Sequence, residues 1–258
     1  MNHYVIIALI LPVLGTTIGS AMVFFLKNNI NPRVQKFLLG FASGVMVAAS
    51  IFSLLQPAIN SYDKNDYKAW LIPAIGFTIG IIFLLILDYL TPHIHANNQE
   101  EGIKSSKINK TFKMLLAVTI HNIPEGLAVG VVIAGALNKS INVQAIIALS
   151  LGIAIQNFPE GAIISMPLKE TGLSKPKSFF YGFLSGVVEP IASIIAILLT
   201  SFVTFLLPFT LSFAAGAMIY VVVEELIPES NEGNHSNLPT IGFALGFVIM
   251  MVLDIALG

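Results

Sequence analysis

Residues 112–137, FKMLLAVTIHNIPEGLAVGVVIAGAL, and residues 142–168, NVQAIIALSLGIAIQNFPEGAIISMPL, are two neighbouring apolar stretches of the chain. Each is longer than the roughly 20 apolar residues that an α-helix needs to cross a bilayer. The motif HNIPEG at 121–126 in the first stretch returns as QNFPEG at 156–161 in the second. An ionisable residue inside a membrane span is costly and indicates a functional site by default. The two motifs therefore predict a pair of spanning helices that share a polar site.

The composition of the 258-residue chain is that of an integral membrane protein. Apolar residues make up 55% of it and charged residues 10%, and the mean hydropathy is +0.85. Soluble domains carry about 25% charged residues. The absence of cysteine excludes a disulfide framework, thiolate zinc sites and a catalytic cysteine. The first apolar run lacks the positively charged start of a secretory signal, so we interpret it as a spanning helix.

Hydropathy divides the chain into eight candidate spans. The predicted spans are 4–26, 35–56, 71–90, 112–137, 142–168, 178–203, 207–228 and 239–257. The connections are short except for the polar segment 91–111. We therefore predict an all-α membrane protein with eight transmembrane helices, which form a single transmembrane domain over residues 1–258.

The distribution of lysine and arginine orients these spans. Ten of the thirteen such residues follow the first, third and fifth spans, and the other three follow the second and fourth. Cytoplasmic loops carry the excess of positive charge in membrane proteins. We therefore expect the loop 91–111 in the cytoplasm and both termini outside, in a multi-pass protein of the cell membrane.

A second pair of similar segments indicates an inverted repeat. Residues 41–47, FASGVMV, in the second span resemble residues 213–219, FAAGAMI, in the seventh. The spans of each similar pair, two with seven and four with five, would cross the membrane in opposite directions. Inverted repeats with a site at their interface near mid-membrane are common in transporters. The alternative is that small residues recur in membrane helices because they permit close packing.

The spacing within the two motifs predicts a metal site. His121 and Glu125 are four residues apart, as are Gln156 and Glu160, so each pair lies on one side of its helix. Two such helices facing each other would surround one ion with nitrogen and carboxylate ligands. A proline stands beside both glutamates and beside Glu189, where it frees a carbonyl that needs protein or a wet cavity.

The types of donor favour zinc or another first-row divalent ion. Three carboxylates repel one another in a low-dielectric interior unless a cation lies between them. One imidazole and three amide oxygens complete the set, which suits zinc better than magnesium, while the absence of thiols weakens the case for copper(I). The candidate metal ligands are His121, Asn122, Glu125, Gln156, Asn157, Glu160 and Glu189.

Further polar residues near the cytoplasmic side could mark a route away from the central site. Two of them are histidines in the long loop, for which the alternative is an ordinary solvated loop. We interpret His235 as a loop residue and Asp254 as a packing residue. The candidate route consists of Asp88, His93, His95, Glu224 and Glu225.

These motifs resemble those of the ZIP (Zrt-/Irt-like) divalent metal transporters, in particular the bacterial GufA-like branch. The resemblance covers the whole chain and rests on 121–126, 156–161, 188–190 (VEP) and 224–228 (EELIP). It implies zinc uptake into the cytoplasm through a binuclear metal centre halfway across the membrane. It also implies that spans one to three and six to eight are inverted halves around spans four and five.

The resemblance further implies two groups of ligands that share a bridging glutamate. The first group is His121, Glu125, Gln156 and Glu160. The second group is Asn122, Asn157, Glu160 and Glu189. Many relatives have histidine at the position of Gln156, and some have aspartate at that of Asn157, so the second site is less acidic here. The cytoplasmic release path implied by the resemblance contains Asp88, His93, His95, Glu224 and Glu225.

The rival function is that of a membrane enzyme. A zinc protease would show His-Glu-x-x-His, whereas Asn122 follows His121, and a di-iron enzyme would show Glu-x-x-His pairs. A rhomboid-type serine protease would need glycine where Phe41 stands. A carboxylate porter would favour basic residues inside the spans, and spans four to seven hold none away from their ends.

We therefore expect a transporter and not an enzyme. It needs no cofactor, and its substrate is a divalent metal, Zn²⁺ first, with iron, manganese, cobalt or cadmium as alternatives. The expected partners are divalent metal ions and the lipid bilayer, with a homodimer left open. No basic cluster indicates a nucleic acid partner.

Overall fold

The computed structural model describes residues 2–25, 30–94, 100–101, 110–201 and 206–257, and the structural statements concern these residues. Eight of its helices are long and apolar enough to cross a bilayer, which confirms the predicted eight-helix, all-α fold. The helices are α1 Asn2–Phe25, α2 Pro32–Asn60, α3 Lys68–Leu90, α4 Lys110–Leu137, α5 Val143–Glu170, α6 Lys175–Ser201, α7 Leu207–Ser230 and α8 Leu238–Leu257.

The long loop between α3 and α4 contains one small piece of antiparallel sheet. Strand β1, His93–Ile94, pairs with β2, Glu100–Glu101, with His93 opposite Glu101. This pair lies in the segment that the sequence predicts as a polar loop. Strand β1 packs against α4, and two strands of two residues each leave the fold all-α in class.

Asparagine caps fix the start of two helices. The Asn31 side chain accepts a hydrogen bond from the Arg33 amide at 2.9 Å, and Pro32 occupies the first helical position of α2. The Asn142 side chain accepts from the Gln144 amide at 3.4 Å at the start of α5. These caps satisfy amides that have no partner inside the helix.

Two of the helices widen into a π-helical turn at corresponding places. The turn Ser50–Leu55 interrupts α2, and the turn Val222–Leu226 interrupts α7. Each begins nine residues after the phenylalanine that opens the repeated segment, Phe41 in α2 and Phe213 in α7. Because π-helical turns are rare and often mark functional sites, their matching positions support the relation between α2 and α7.

The helices pack in pairs that follow the same symmetry. Helix α1 packs along α5 and α4 along α6, while α2 packs along α8 and α3 along α7. In the predicted repeat, helices α1, α2 and α3 are equivalent to α6, α7 and α8, and α4 is equivalent to α5. The packing of α1 against α5 is then equivalent to the packing of α6 against α4. The α2–α8 pair likewise maps onto α7–α3. This pairing is what the predicted inverted repeat requires.

Close contacts between helices repeat the symmetry at the level of single residues. A side chain at Gly80 of α3 would collide with the Phe213 carbonyl of α7, and one at Gly246 of α8 with the Phe41 carbonyl of α2. Both phenylalanines are the first residues of the repeated segments. Glycine is therefore needed at both crossings to let the backbones approach, as in other membrane helix pairs.

Helix α4 lies at the centre of the bundle, whereas α3 and α8 lie at its outside. Val132 and Ile133 of α4 are fully buried in the core. Leu85 of α3 and Ile255 of α8 are 53% and 70% exposed, on faces that a bilayer would cover. The two motifs identified in the sequence thus lie on inner helices, away from this apolar exterior.

Candidate metal centre

The candidate ligands come from three neighbouring helices. Helices α4 and α5 each carry one copy of the repeated motif, and α6 carries the third glutamate. All seven side chains are buried. Six of them belong to α4 and α5, which are joined by a short loop. The buried set is His121, Asn122, Glu125, Gln156, Asn157, Glu160 and Glu189.

Three of these residues form a compact cluster. His121, Glu125 and Glu160 each offer one ligand atom, and the three atoms lie within 4.8 Å of one another. The distance from His121 Nε2 to Glu160 Oε1 is 3.7 Å, which is too long for a hydrogen bond. The imidazole and the two carboxylates thus face a common point without bonding directly to each other there.

Several acceptors around this point have no hydrogen-bond partner among the described residues. They are Glu125 Oε2, Glu160 Oε1 and Gln156 Oε1, and His121 Nε2 also lacks a partner. Buried polar atoms are almost always hydrogen-bonded, so a convergent group of exceptions needs an explanation. Oxygen and imidazole nitrogen donors are what a first-row divalent ion binds, and the residues present fit such an ion.

The Gln156 amide is oriented by two neighbours. Its Nε2 donates to Glu125 and to Asn157 Oδ1, the latter at 3.0 Å. Because the nitrogen is committed to these acceptors, its oxygen is left as the free end of the side chain. Gln156 therefore presents an oxygen donor at the position equivalent to the His121 imidazole in α4.

Glu189 lies beside the cluster and is already hydrogen-bonded. Asn157 Nδ2 donates to its two carboxylate oxygens at 2.9 and 3.0 Å, and Thr16 Oγ1 lies 3.3 Å from Oε1. The geometry thus brings the first predicted group of ligands together around unpartnered atoms. In the second group, Glu189 and Asn157 instead bind each other.

The two asparagines of the motifs are anchored in equivalent ways. Asn122 Nδ2 donates to the Ser185 carbonyl of α6 at 3.0 Å, and Asn157 Nδ2 lies 3.3 Å from the Pro12 carbonyl of α1. Both acceptors lie on the helix that packs along the asparagine's own helix. The pseudo-twofold relation of the fold therefore passes through the candidate site.

Glu225, which the sequence predicts for the release route, lies directly against His121 of the cluster. Its Oε2 is 3.0 Å from His121 Nδ1, with 10% of its side chain exposed. A carboxylate on the second ring nitrogen fixes the orientation of a metal-binding histidine. Its neighbour Glu224 is exposed.

The other route residues are placed only in part. Asp88 is buried near the end of α3 and accepts a hydrogen bond from Tyr220 at 3.0 Å, one turn before Glu224 on α7. His93 belongs to strand β1, and His95 lies outside the described residues. The structure therefore brings Asp88 near α7 and leaves the two histidines as a prediction.

Sequence reasoning missed two polar residues near the centre. Thr16 contacts Glu189, and a threonine in an apolar span gives no signal that would single it out. Glu229 accepts from Gln35 at 3.4 Å and follows Glu225 by four residues, so the helical spacing would have revealed it. Asp254, interpreted as a packing residue, accepts a hydrogen bond from Ser53 at 2.5 Å.

Several known proteins are similar to this chain over most of its length. The family model described as "ZIP Zinc transporter" matches residues 2–114 and 99–254. Zinc transporter GufA of Myxococcus xanthus is 35% identical over 95% of this chain and 96% of its own length. Zinc transporter ZIPB of Bordetella bronchiseptica is 33% identical over 95% of this chain and 78% of its own. Zinc transporter ZupT of Chlorobaculum parvum is 34% identical over 93% and 92%, respectively.

Proposed function

The chain belongs to the ZIP zinc transporter family, and from this premise we propose that it carries Zn²⁺ into the cytoplasm through the centre between α4, α5 and α6. It is a transporter and not an enzyme. The observation that supports the central site is the convergence of buried donor atoms without partners around His121, Glu125 and Glu160. The ion is the substrate, and the protein supplies a polar site inside an apolar bundle.

The first ion is held by His121, Glu125, Gln156 and Glu160. One imidazole, two carboxylates and one amide oxygen replace the water shell of the ion, which could not otherwise enter the bundle. Two negative charges balance a divalent cation, so the loaded site is neutral and is no longer costly at this depth. The empty site carries uncompensated carboxylates, and binding of the ion is favourable because it compensates their charge.

A second ion is held by Asn122, Asn157, Glu160 and Glu189. Glu160 bridges the two ions, and the Asn157 amide turns from Glu189 to offer its oxygen. This second group has only oxygen donors, which is a harder environment than that of the first. Its ion is therefore bound less tightly when the metal is zinc.

Glu225 sets the tautomer of His121. With the proton on Nδ1 directed at the Glu225 carboxylate, the lone pair of Nε2 points to the cluster. The same carboxylate lies on the cytoplasmic half of α7, where it can take over an ion that leaves His121. Release then continues along Asp88, Glu224 and the loop residues His93 and His95.

The whole transporter is a single domain over residues 1–258 in the cell membrane, with both termini outside. The positive-inside distribution of the loops supports this orientation. The bilayer covers the apolar exterior of α3 and α8, and a homodimer would bury part of the same exterior. Iron, manganese, cobalt and cadmium are the alternative substrates, because the donor set does not distinguish sharply among divalent ions that bind imidazole and carboxylate ligands.

Transport by the purified protein tests the function directly. Vesicles that contain the protein and a trapped zinc indicator should fill when Zn²⁺ is added outside without ATP, because the driving force is the ion gradient. Vesicles without protein and vesicles with the Glu160→Ala variant are the controls. Failure to move zinc, iron, manganese, cobalt or cadmium under any gradient would contradict the proposal.

A further inference from the structure

Thr16 of α1 and Glu189 of α6 occupy equivalent positions in the two halves of the bundle. Three hydrogen-bonding positions of α1 recur 173 residues later in α6. Pro12 and Ser185 offer the carbonyls for the two asparagines, and Ser20 and Ser193 donate to carbonyls of the motif glycines, at 3.3 and 2.8 Å. The same interval relates Thr16 to Glu189.

These two equivalent residues meet at the pseudo-twofold axis. Thr16 is 1% exposed, and its Oγ1 lies 3.3 Å both from Glu189 Oε1 and from the Pro12 carbonyl. A hydroxyl has one proton to donate, and a carboxylate is the stronger acceptor of the two. The Pro12 carbonyl already has Asn157 as a donor, so the Thr16 proton goes to Glu189.

Neighbouring helices pack closely around Thr16. A side chain at Gly186, on the turn of α6 before Glu189, would run into the Thr16 side chain. One at Gly161 of α5 would collide with the Thr16 carbonyl. Glycines on two neighbouring helices therefore enclose the threonine and hold its hydroxyl against the carboxylate.

We propose that Thr16 is the positioning residue of the second group of metal ligands. Its hydroxyl and the Asn157 amide hold the Glu189 carboxylate at the edge of the centre before an ion arrives. When the Asn157 amide turns to bind the ion, Thr16 is the donor that stays on Glu189. It also places a neutral group where the repeat would place a further carboxylate, which limits the two groups of proposed metal ligands to three carboxylates.

This inference rests on the proposed two-ion centre and predicts which part of it depends on Thr16. The first group contains no residue that Thr16 contacts through its side chain, so it should survive a change at this position. The second group should lose its ion, because Glu189 without the hydroxyl is free to leave its place. Loss of an outer-shell partner typically lowers metal affinity by roughly 10–100-fold.

Three variants of α1 provide the test, measured on the full-length protein with Zn²⁺. Thr16→Val keeps the shape of the side chain and removes the hydroxyl, whereas Thr16→Ser keeps the hydroxyl. Ser20→Ala removes a hydroxyl one turn away that contacts Gly161 and not Glu189, so it controls for packing. The measurements are the number of bound ions by equilibrium dialysis, the KM and kcat of transport, and the Tm.

Wild type, Thr16→Ser and Ser20→Ala should each bind two ions. Thr16→Val should bind one ion with a wild-type Tm, and its KM should rise by about tenfold while kcat changes less. Two ions and an unchanged KM in Thr16→Val would overturn the inference, as would an equal loss in Ser20→Ala. A single ion in the wild type would overturn the two-ion centre itself. In that case the KM of transport tests the role of Thr16. A higher KM in Thr16→Val, with a wild-type KM in Thr16→Ser, would support the positioning role. An unchanged KM in Thr16→Val would overturn it.

Discussion

At the scale of single residues, the three glutamates of the centre differ in how far their hydrogen bonding is satisfied. Glu189 has donors on both oxygens, whereas Glu125 and Glu160 each keep one oxygen without a partner among the described residues. An unpaired carboxylate in a low-dielectric interior is costly, and a cation removes that cost. We therefore expect the unsatisfied pair to hold the first ion of the proposed centre.

Replacing Glu160 with alanine should reduce zinc transport to the background level. Glu160 is the bridging carboxylate of the proposed centre, and without it the remaining ligands of the first ion carry one charge. The folded protein should survive, because the change removes repulsion among buried carboxylates. Zinc flux into vesicles and the Tm without metal measure the two effects.

Asp254→Ala is the matched control, since it removes a carboxylate that bonds to Ser53 outside the centre. It should leave most of the flux. Equal losses in the two variants would mean that the site has been assigned to the wrong residues.

Glu225→Gln should weaken zinc binding while leaving the ligands in place. The amide keeps the size of the side chain but loses the charge that favours the proton on His121 Nδ1. We expect the zinc Kd to rise by roughly 10–100-fold. Titration of the purified protein measures it, with Glu224→Gln at the exposed neighbouring position as the control, and a wild-type Kd in Glu225→Gln would remove Glu225 from the centre.

Acid should weaken zinc binding at the centre. Its ligands must be deprotonated to bind the ion, so protons compete with metal, and affinity is present at higher pH and lost as the pH falls. Titrations from about pH 7.5 to about pH 5.5 cover the range in which an imidazole normally gains its proton. His121→Ala should bind more weakly and with a shallower dependence on pH. A flat profile in the wild type would show that His121 is not a ligand.

At the scale of secondary-structure elements, irregular turns lie beside the polar groups. The π-helical turn of α7 contains Glu225, and that of α2 contains Ser53, the donor to Asp254. A π-helical turn shifts the side chains that follow it around the helix axis, so it changes which residues face the interior. In α7 it places Glu225 toward His121 and leaves Glu224 outside.

We predict that His93 and His95, in the loop between α3 and α4, bind metal weakly on the release path. Two imidazoles at this spacing can bind one ion, but ordering a loop costs roughly 1–2 kcal/mol per residue, so binding should be weak. The double change to alanine should lower the rate of zinc release while the zinc Kd of the centre stays the same. Flux measured over a wide range of zinc concentration, beside His235→Ala as the control, tests this. Identical kinetics would make both histidines ordinary loop residues.

At the scale of the whole molecule, the fold is organised around a pseudo-twofold axis through the centre. Helices α4 and α5 exchange across this axis, as do α1 and α6, and the asparagine anchors obey the same relation. Two pairs of equivalent positions in the centre carry different residue types. His121 corresponds to Gln156, and Glu189 corresponds to Thr16, so the half formed by α4 and α6 supplies the imidazole and the extra charge.

The orientation of the molecule in the membrane can be read with single cysteines, because the chain has none of its own. Asn65 lies in the connection between α2 and α3, and Ser174 lies in the connection between α5 and α6, and both are exposed. In intact cells, an impermeant maleimide should label Asn65→Cys and not Ser174→Cys. Lysed cells should label both, and the reverse pattern in intact cells would place both termini in the cytoplasm.

Much of the centre could be predicted from the sequence because a charge in a membrane span is rare. The two motifs stand out against long apolar stretches, and the spacing of four residues places His121 with Glu125 and Gln156 with Glu160. Glu225 was predicted for the release route and not as a neighbour of His121, because its direction depends on a π-helical turn that has no clear pattern in the sequence. Thr16 was not found at all, since a threonine carries no charge and is common in membrane helices.

The number of spans, the eight-helix class and the residue types of the candidate centre could all be predicted from the order of residues along the chain. These follow from hydropathy and local spacing, which act along the chain. Three features became visible in the folded molecule alone: which ligand atoms lack a hydrogen-bond partner, the contacts of Asn157 and Thr16 with Glu189, and the 3.0 Å distance between Glu225 and His121. These contacts join helices far apart in the sequence, and helix packing sets their distances through close glycine crossings that no local pattern encodes.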